Sequence, residues 1–217
     1  MIRGFHLSEP GGHAQTEDAF LLSPFPQHAG AFLVAVADGQ GGQPGGALAA
    51  RLACATCADA VADLPPNELF LPSCWETILQ RADAAVSAAA GAGFTTLAAF
   101  WVTNKHICGA SCGDSAVVLF NAGDPVQILT SGQRKNPPVG SGGAVGVSFA
   151  ANLSSPWTVL AMSDGVWKYA GWENVFRIGA REAGEAMGRA LLDCARLKRT
   201  GELQDDFTLI ALQDGPD

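Results

Sequence analysis

Four aspartates stand where apolar runs of the sequence stop. Asp38 and Asp164 each precede a glycine, Asp114 follows one, and Asp205 opens an Asp-Asp pair ahead of Phe207. Carboxylates brought together repel one another and lose hydration unless cations neutralise them. Oxygen ligands favour hard ions such as Mg²⁺ and Mn²⁺, and no His/Cys set in the sequence has zinc-like spacing. The sequence therefore predicts a centre of divalent cations.

The chemistry open to such a centre is attack of water on a phosphorus atom. Two divalent ions about 4 Å apart can lower the pKa of a bridging water and hold a phosphoryl group for in-line attack. Glycines after Asp38 and Asp164 let the backbone approach ligands closely, and Gly39 can lend a carbonyl oxygen. Because the net charge is −8, only bound cations could reverse the local field for an anionic substrate.

The elements that must position these residues follow from hydrophobic periodicity and from the placement of Gly and Pro. Predicted strands cover residues 2–7, 18–22, 31–37, 95–103, 106–112, 116–120, 126–130, 158–162 and 207–212, and predicted helices cover residues 47–64, 73–90 and 180–199. Ser73 is a predicted N-cap, and Glu76 completes a capping box. This order predicts an α+β sandwich of antiparallel sheets with helices on their faces, the acidic residues converging at one end.

Composition predicts one domain over residues 1–217, since apolar residues make up 48% of the chain and charged residues only 16%. No apolar run approaches the roughly 18 residues of a membrane span, and the N-terminus lacks a signal-peptide layout. We therefore expect no membrane association and a cytoplasmic location. No Lys/Arg cluster marks a nucleic-acid surface. The Gly/Pro/Ser-rich residues 131–148 are expected to form a mobile surface loop.

The cysteines and aromatic residues are interpreted as structural. The six cysteines lie mostly in Ala-rich segments, which is typical of small buried hydrophobes in a reducing compartment. Cys54 and Cys57 share a predicted helix at a packing spacing, with no second pair nearby. Trp167, Tyr169 and Trp172 are expected to pack under the Asp164 loop.

Six ordered motifs give the sequence a family resemblance. They are Glu17-Asp18, Asp38-Gly39-Gln40-Gly41-Gly42, Phe94-Thr95-Thr96-Leu97, Cys112-Gly113-Asp114-Ser115, Ser163-Asp164-Gly165-Val166-Trp167 and Asp205-Asp206-Phe207-Thr208. Over about residues 4–212 they resemble the motifs of the metal-dependent protein phosphatases, the protein phosphatase 2C type, in a compact bacterial-like form. The resemblance implies a four-layer α-β-β-α sandwich, with two antiparallel sheets between helical layers.

The resemblance also implies a metal centre with two or three Mn²⁺ or Mg²⁺ ions. Asp38 would bridge two of them, with the Gly39 carbonyl on one and Asp164 and Asp205 on the other. A metal-bridging water would attack the phosphorus of phosphoserine or phosphothreonine directly, without a phosphoenzyme.

Three further acidic residues and one loop receive roles in the same way. Glu17 and Asp18 would act through metal-bound waters, and Asp114 would help to hold a weaker third ion. Residues 131–148 lie where the family has its flap, a segment beside the catalytic cleft.

Two positions depart from the family pattern on the substrate side. His13 stands where the family commonly has an arginine that grips the substrate phosphate, and Gln40 stands where many eukaryotic members have a histidine proposed as general acid. A histidine is charged only near or below roughly pH 6.5, whereas arginine is a permanent bidentate donor. His13 is therefore a candidate for phosphate binding, for the general acid, or for both. Metal-bound water is the alternative acid.

Three functions remain open from the sequence. The first is a phosphatase acting on phosphoproteins, presumed substrates of a partner serine/threonine kinase. The second is a catalytically weak or inactive phosphatase-like regulator, which Gln40 and the missing arginine favour and the intact aspartates oppose. The third is a hydrolase of small phosphate esters.

Overall fold

The computed structural model describes residues 1–12, 14–25, 28, 30–42 and 44–215. The strands are β1 Ile2–Glu9, β2 Ala19–Pro24, β3 Phe32–Ala37, β4 Leu97–Val102, β5 His106–Cys112, β6 Ala116–Asn121, β7 Gln127–Ile128, β8 Val147–Asn152, β9 Trp157–Met162 and β10 Phe207–Asp214. The helices are α1 Gly46–Ala62, α2 Pro72–Ala88, α3 Asp164–Ala170, α4 Trp172–Gly179 and α5 Gly184–Ala195, and a short 3-10 helix covers Glu68–Phe70.

Two five-stranded sheets form the centre of the fold. One has the order β1-β10-β9-β6-β7 and the other β2-β3-β4-β5-β8, with antiparallel pairing throughout. Side chains such as Val36 and Phe100 of one sheet and Ile210 of the other fill the space between them. Because helices cover the opposite faces as well, inner strands such as β3 read as continuous apolar runs rather than alternating ones.

Helices cover the outer face of each sheet. Helices α1 and α2 pack on the second sheet through residues that include Ala53 and Ile78, and α3, α4 and α5 pack on the first through residues that include Met187 and Leu191. The fold is therefore a four-layer α-β-β-α sandwich, and the predicted fold class is confirmed. Among the described residues, no helix combines the length and the apolar character that crossing a membrane requires.

Several element predictions need correction. Two short helices, α3 and α4, occupy residues 164–179, where the sequence predicted no helix, and a positive φ of 82° at Gly171 separates them. Helices of seven and eight residues are marginal on their own, and burial of Val166 and Val175 against the sheet stabilises them. The strand predicted at 126–130 shrinks to β7, the helix predicted at 180–199 shrinks to α5, and β8 was missed.

The predicted capping box at Ser73 is also wrong. Helix α2 begins at Pro72, after Leu71, and no side chain caps its first turn. Proline suits this position because it lacks an N–H that would otherwise need a partner. Glu76 instead accepts a hydrogen bond of 2.6 Å from the Ser148 hydroxyl.

Cys54 and Cys57 lie on α1 inside the core beneath the sheet, and both are free thiols. Burial raises the pKa of the Cys54 thiol to about 12, and burial raises the pKa of Cys57 as well. Thiols held neutral in this way are poor nucleophiles and poor metal ligands, which supports the structural interpretation of the pair.

The connection between β7 and β8, predicted as a mobile loop over residues 131–148, is held by a buried carboxylate. Asp83 of α2 is 5% exposed. Its oxygens accept hydrogen bonds from the amides of Gly140 at 2.7 Å, Gly142 at 3.1 Å and Ala144 at 3.0 Å. This carboxylate therefore fixes one end of the flap loop to the helical layer.

Replacing Asp83 with alanine should destabilise the protein, because three backbone amides would lose their acceptor at once. We expect the free energy of unfolding to fall by about 2–4 kcal/mol and hydrogen exchange at Gly140, Gly142 and Ala144 to accelerate. Urea unfolding and exchange measured by NMR test this. Asp59→Ala, at an exposed position of α1, is the matched control, and equal stability of the two variants would contradict the anchoring role.

Candidate metal centre

Six acidic side chains line one cavity of about 600 Å³, at the ends of strands that belong to both sheets. They are Glu17, Asp38, Asp114, Asp164, Asp205 and Asp206. The convergence predicted from the sequence is therefore present, although the roles of these residues as ligands stay predictions. His13 lies outside the described residues.

Asp38 follows β3 directly, and its backbone is hydrogen-bonded to Thr95 and Thr96, which directly precede β4. The Asp38 amide donates to Thr96 Oγ1 at 2.9 Å, while its carbonyl accepts from the Thr96 amide at 2.9 Å and from Thr95 Oγ1 at 2.8 Å. At Gly39, a Cβ atom would lie 2.5 Å from backbone atoms of both Glu17 and Gly46. Only glycine fits here, so the Asp38-Gly39 turn is held in close contact with the Glu17 segment.

Asp164 is the first residue of α3, and Asp205 lies two residues before β10. Ser163 ties the two segments together: its amide donates to the Thr208 carbonyl at 3.0 Å, and its hydroxyl accepts from the Thr208 amide at 3.1 Å. A Cβ atom at Gly165 would lie 1.9 Å from the Asp206 carbonyl oxygen. Glycine at this position therefore allows the start of α3 to lie against the Asp205 segment.

Asp206 is a structural residue of the site to which the sequence analysis gave no role. It is 7% exposed, and its carboxylate accepts from the Gly11 amide at 2.7 Å and from the Glu17 amide at 2.5 Å. Hydrogen bonds from backbone N–H groups to an ionised carboxylate are among the stronger ones in proteins. Asp206 thus holds the Glu17-Asp18 segment at the cavity.

Asp18 is buried beside the cavity, and neither of its carboxylate oxygens has a hydrogen-bond partner within the described part of the chain. Burial raises the pKa of Asp18 to about 7, while the nearby hydroxyls of Thr208 and Ser163 oppose the rise. A buried carboxyl group without a partner is costly. A cation close to it would remove that cost.

The pKa of Asp38 is raised further, to about 9, first by burial and then by the neighbouring carboxylates of Asp18, Asp164, Asp205 and Asp114. Burial and two of these neighbours also raise the pKa of Asp164, against the opposing effect of Lys168. Carboxyl groups that hold protons because they face one another form a donor set suited to hard divalent cations. In the described ranges, however, no three His, Cys, Asp or Glu side chains are close enough to coordinate one ion together.

Two lysines neutralise part of this charge, and the sequence analysis missed both. Lys168 Nζ lies 3.4 Å from Asp164 Oδ2 and 3.8 Å from Asp205 Oδ2, between the two residues predicted to share an ion. Lys135 of the flap loop pairs with Asp114, and their hydrogen bond raises the pKa of the Lys135 ammonium. The four-residue spacing of Asp164 and Lys168 is a helical signal that could have revealed the first pair.

The aromatic residues of α3 and α4 support the same carboxylates. Trp167 Nε1 donates to the Asp114 carbonyl at 3.1 Å, and the Tyr169 hydroxyl donates to Asp205 Oδ2 at 3.5 Å. Trp167 stacks on Trp172, with ring centroids 5.3 Å apart, and all three pack against the core below the first sheet. The predicted packing role is confirmed, and the Trp167 and Tyr169 contacts place acidic segments as well.

Asp38→Asn should stabilise the metal-free protein. Between the unfolded pKa of 3.8 and the folded pKa of about 9, the unfolded chain releases the Asp38 proton while the folded protein keeps it. Raising the pH through this window therefore lowers the stability of the wild type. Asparagine mimics the neutral acid, so we expect a gain of about 1–3 kcal/mol at pH 7 that vanishes near pH 4.

Urea unfolding in chelator at several pH values measures this gain. The same variant should lose the rise in melting temperature that Mn²⁺ gives the wild type. A metal-free Asp38→Asn protein no more stable than wild type at pH 7 would contradict the raised pKa of Asp38.

Comparisons with known proteins agree with this fold and site. The family model for protein phosphatase 2C matches residues 12–136, which is more than half of the chain. A comparison with curated proteins gives no match.

Solved bacterial phosphatases share the fold. The serine/threonine phosphatase PstP/Ppp of Mycobacterium tuberculosis is 20% identical, with a TM-score of 0.77 over 98% of each chain. A structure of the PstP catalytic domain with two manganese ions is also 20% identical, with a TM-score of 0.75 over 98% of this chain and 97% of that one. Stp1 of Staphylococcus aureus is 18% identical, with a TM-score of 0.75 over 100% of this chain and 96% of that one. The chain thus belongs to the protein phosphatase 2C family of metal-dependent serine/threonine phosphatases.

Proposed function

We propose that this protein hydrolyses phosphoserine and phosphothreonine in protein substrates, with Mn²⁺ or Mg²⁺ as its cofactor. The observation that carries the proposal is the convergence of six acidic side chains in one cavity, beside the buried carboxyl group of Asp18, which has no hydrogen-bond partner among the described residues. Such a site is stable in its ionised form only with added positive charge. When bound, the divalent ions would supply activation of water and compensation of the phosphate charge.

The residues that would hold the ions are those the sequence predicts. Asp38, Asp164 and Asp205 would be the principal ligands, with the Gly39 carbonyl beside them. The backbone contacts of Asp38 with Thr95 and Thr96 keep its carboxyl group at the cavity without using its side-chain oxygens.

The remaining acidic residues would complete the site. Glu17 and Asp18 are held on one side by the Asp206 anchor, and Asp114 stands on the other side in the turn between β5 and β6. Both carboxylate oxygens of Asp206 already accept hydrogen bonds from backbone amides, so Asp206 would position its neighbours rather than bind an ion.

Protein substrates are favoured by the rim of the cavity. Phe94 lines the cavity and is 40% exposed, and Pro138 and Asn136 of the flap loop line it as well. An exposed aromatic ring at the edge of a polar cavity can pack against residues that flank a phosphorylated side chain. A hydrolase of small esters would have no use for such a surface.

A catalytically weak regulator is the second candidate. It is favoured by Gln40, which lines the cavity where it cannot donate a proton usefully, and by the absence of arginine among the described lining residues. Two measurements together separate these functions: calorimetric titration with Mn²⁺ and a turnover assay. A regulator of this kind would bind phosphopeptide without hydrolysing it.

Removal of metal should abolish hydrolysis of a phosphothreonine peptide, because the acidic cavity would repel the phosphate. Excess chelator is expected to stop phosphate release and added Mn²⁺ to restore it. Asp38→Ala should lower kcat by more than about 100-fold, whereas Asp59→Ala should leave it unchanged. Full turnover in excess chelator would refute the proposed function.

His13→Ala tests the general acid. A serine alkoxide is a poor leaving group without proton transfer, whereas a phenolate needs that transfer less. We therefore expect the variant to lose about tenfold or more on a phosphoserine peptide and much less on p-nitrophenyl phosphate. Equal losses in kcat/KM on both substrates would assign His13 to phosphate binding instead.

The opposing serine/threonine kinase and the cytoplasmic location stay predictions of the sequence. No contact or cavity of the described residues bears on either.

A further inference from the structure

We propose that Lys135 is the residue that binds the substrate phosphate, a role that deepens the proposed function and rests on it. A phosphoryl dianion entering the cavity meets six acidic residues and one cationic side chain among the described lining residues, which is that of Lys135. Catalytic cavities that accept anions need positive charge aimed at the anion. Among the described residues that line the cavity, Lys135 is the one that can supply this positive charge.

The backbone on both sides of Lys135 is fixed at the cavity edge. The Arg134 carbonyl accepts from the Gly113 amide at 2.8 Å, and the Pro137 carbonyl accepts from Cys112 Sγ at 3.4 Å. Val139 then pairs with Thr95 through two backbone hydrogen bonds. Lys135 therefore starts from a defined point beside the Asp114 turn, although it belongs to a long loop.

The side chain of Lys135, by contrast, is exposed and can adopt other rotamers. It is 70% exposed, and its ion-pair partner is Asp114, whose side chain is 23% exposed. A solvated pair of this kind contributes little to stability. A phosphate dianion carries more charge than one carboxylate and offers more acceptor oxygens, so it competes well for an ammonium group on a flexible four-carbon stem.

Lys168 is a poorer candidate for the same role. Its ammonium lies between two carboxylates, Asp164 and Asp205, and its side chain is 48% exposed. Binding phosphate would separate it from both partners, and Lys168 is not among the residues that line the cavity. Its position suits charge balance between acidic residues.

Permanent charge distinguishes Lys135 from the residue at the usual arginine position. His13 is mostly neutral above roughly pH 6.5 unless its surroundings change its pKa, whereas a lysine paired with a carboxylate stays protonated at neutral pH.

The test compares Lys135→Met, Lys135→Arg and wild type, all loaded with Mn²⁺. Lys198→Met, in the exposed turn after α5, is the matched control. Calorimetry with inorganic phosphate measures binding without turnover, and steady-state assays on a phosphothreonine peptide give KM and kcat separately. Thermal melts check that each variant is folded.

We expect Lys135→Met to weaken phosphate binding by about tenfold, which corresponds to the loss of one charge-assisted hydrogen bond. Its KM for the peptide should rise by a similar factor, and its kcat should fall by less than about threefold. Lys135→Arg should retain most of the affinity because it keeps a charged donor at the same place. Lys198→Met should behave as wild type.

The inference is overturned if Lys135→Met binds inorganic phosphate as tightly as the wild type does. It is also overturned if the wild type binds no phosphate. A wild type that binds phosphate but does not hydrolyse the peptide refutes the proposed function alone. In that case the affinities of the Lys135 variants for inorganic phosphate still decide the role of Lys135.

Discussion

Repulsion among carboxylates is the constraint on which the rest of this structure depends. The fold brings Asp38, Asp114, Asp164 and Asp205 around one cavity, and burial together with mutual repulsion raises the pKa of Asp38 to about 9. Folding pays for this arrangement elsewhere, since the two sheets and their helical layers bury a large apolar core. Cations would stabilise a cavity of this composition, and bound cations would in turn attract phosphate.

The fold brings these charges together through backbone contacts rather than through the ligand side chains. Thr95 and Thr96 form hydrogen bonds with the Asp38 backbone, and Ser163 forms them with the Thr208 backbone. Asp206 accepts hydrogen bonds from the amides of Gly11 and Glu17. The carboxylates of Asp114, Asp164 and Asp205 are in addition paired with the side chains of Lys135, Lys168 and Tyr169.

Two lysines offset part of the acidic charge of the cavity. Lys168 belongs to a helix packed on the first sheet, and Lys135 belongs to a flap loop tied to Gly113, Thr95 and Asp83. Lys168 pairs with Asp164 and Asp205, whereas Lys135 pairs with Asp114.

Much of the architecture was determined by local sequence. Apolar runs ending in Asp-Gly predicted strands that deliver acids to one edge, because strand burial and turn chemistry are local properties. The four-layer sandwich was implied by the resemblance of the ordered motifs to the protein phosphatase 2C type. Helices α3 and α4 and strand β8 escaped prediction, since such short helices depend on packing against the first sheet and β8 depends on its pairing with β5. The expected Ser73 cap failed because Pro72 already begins the helix.

Only the tertiary structure decided which acids are structural and which are free. Asp206 meets the Gly11 amide across 195 positions of the chain, Asp83 meets Gly140 across 57, and Lys135 meets Asp114 across 21. The motif resemblance gave a ligand role to Asp205 and no role to Asp206. Their difference arises from hydrogen-bond partners that folding brings close, because a carboxylate acquires its role from the groups around it rather than from its neighbours in the chain.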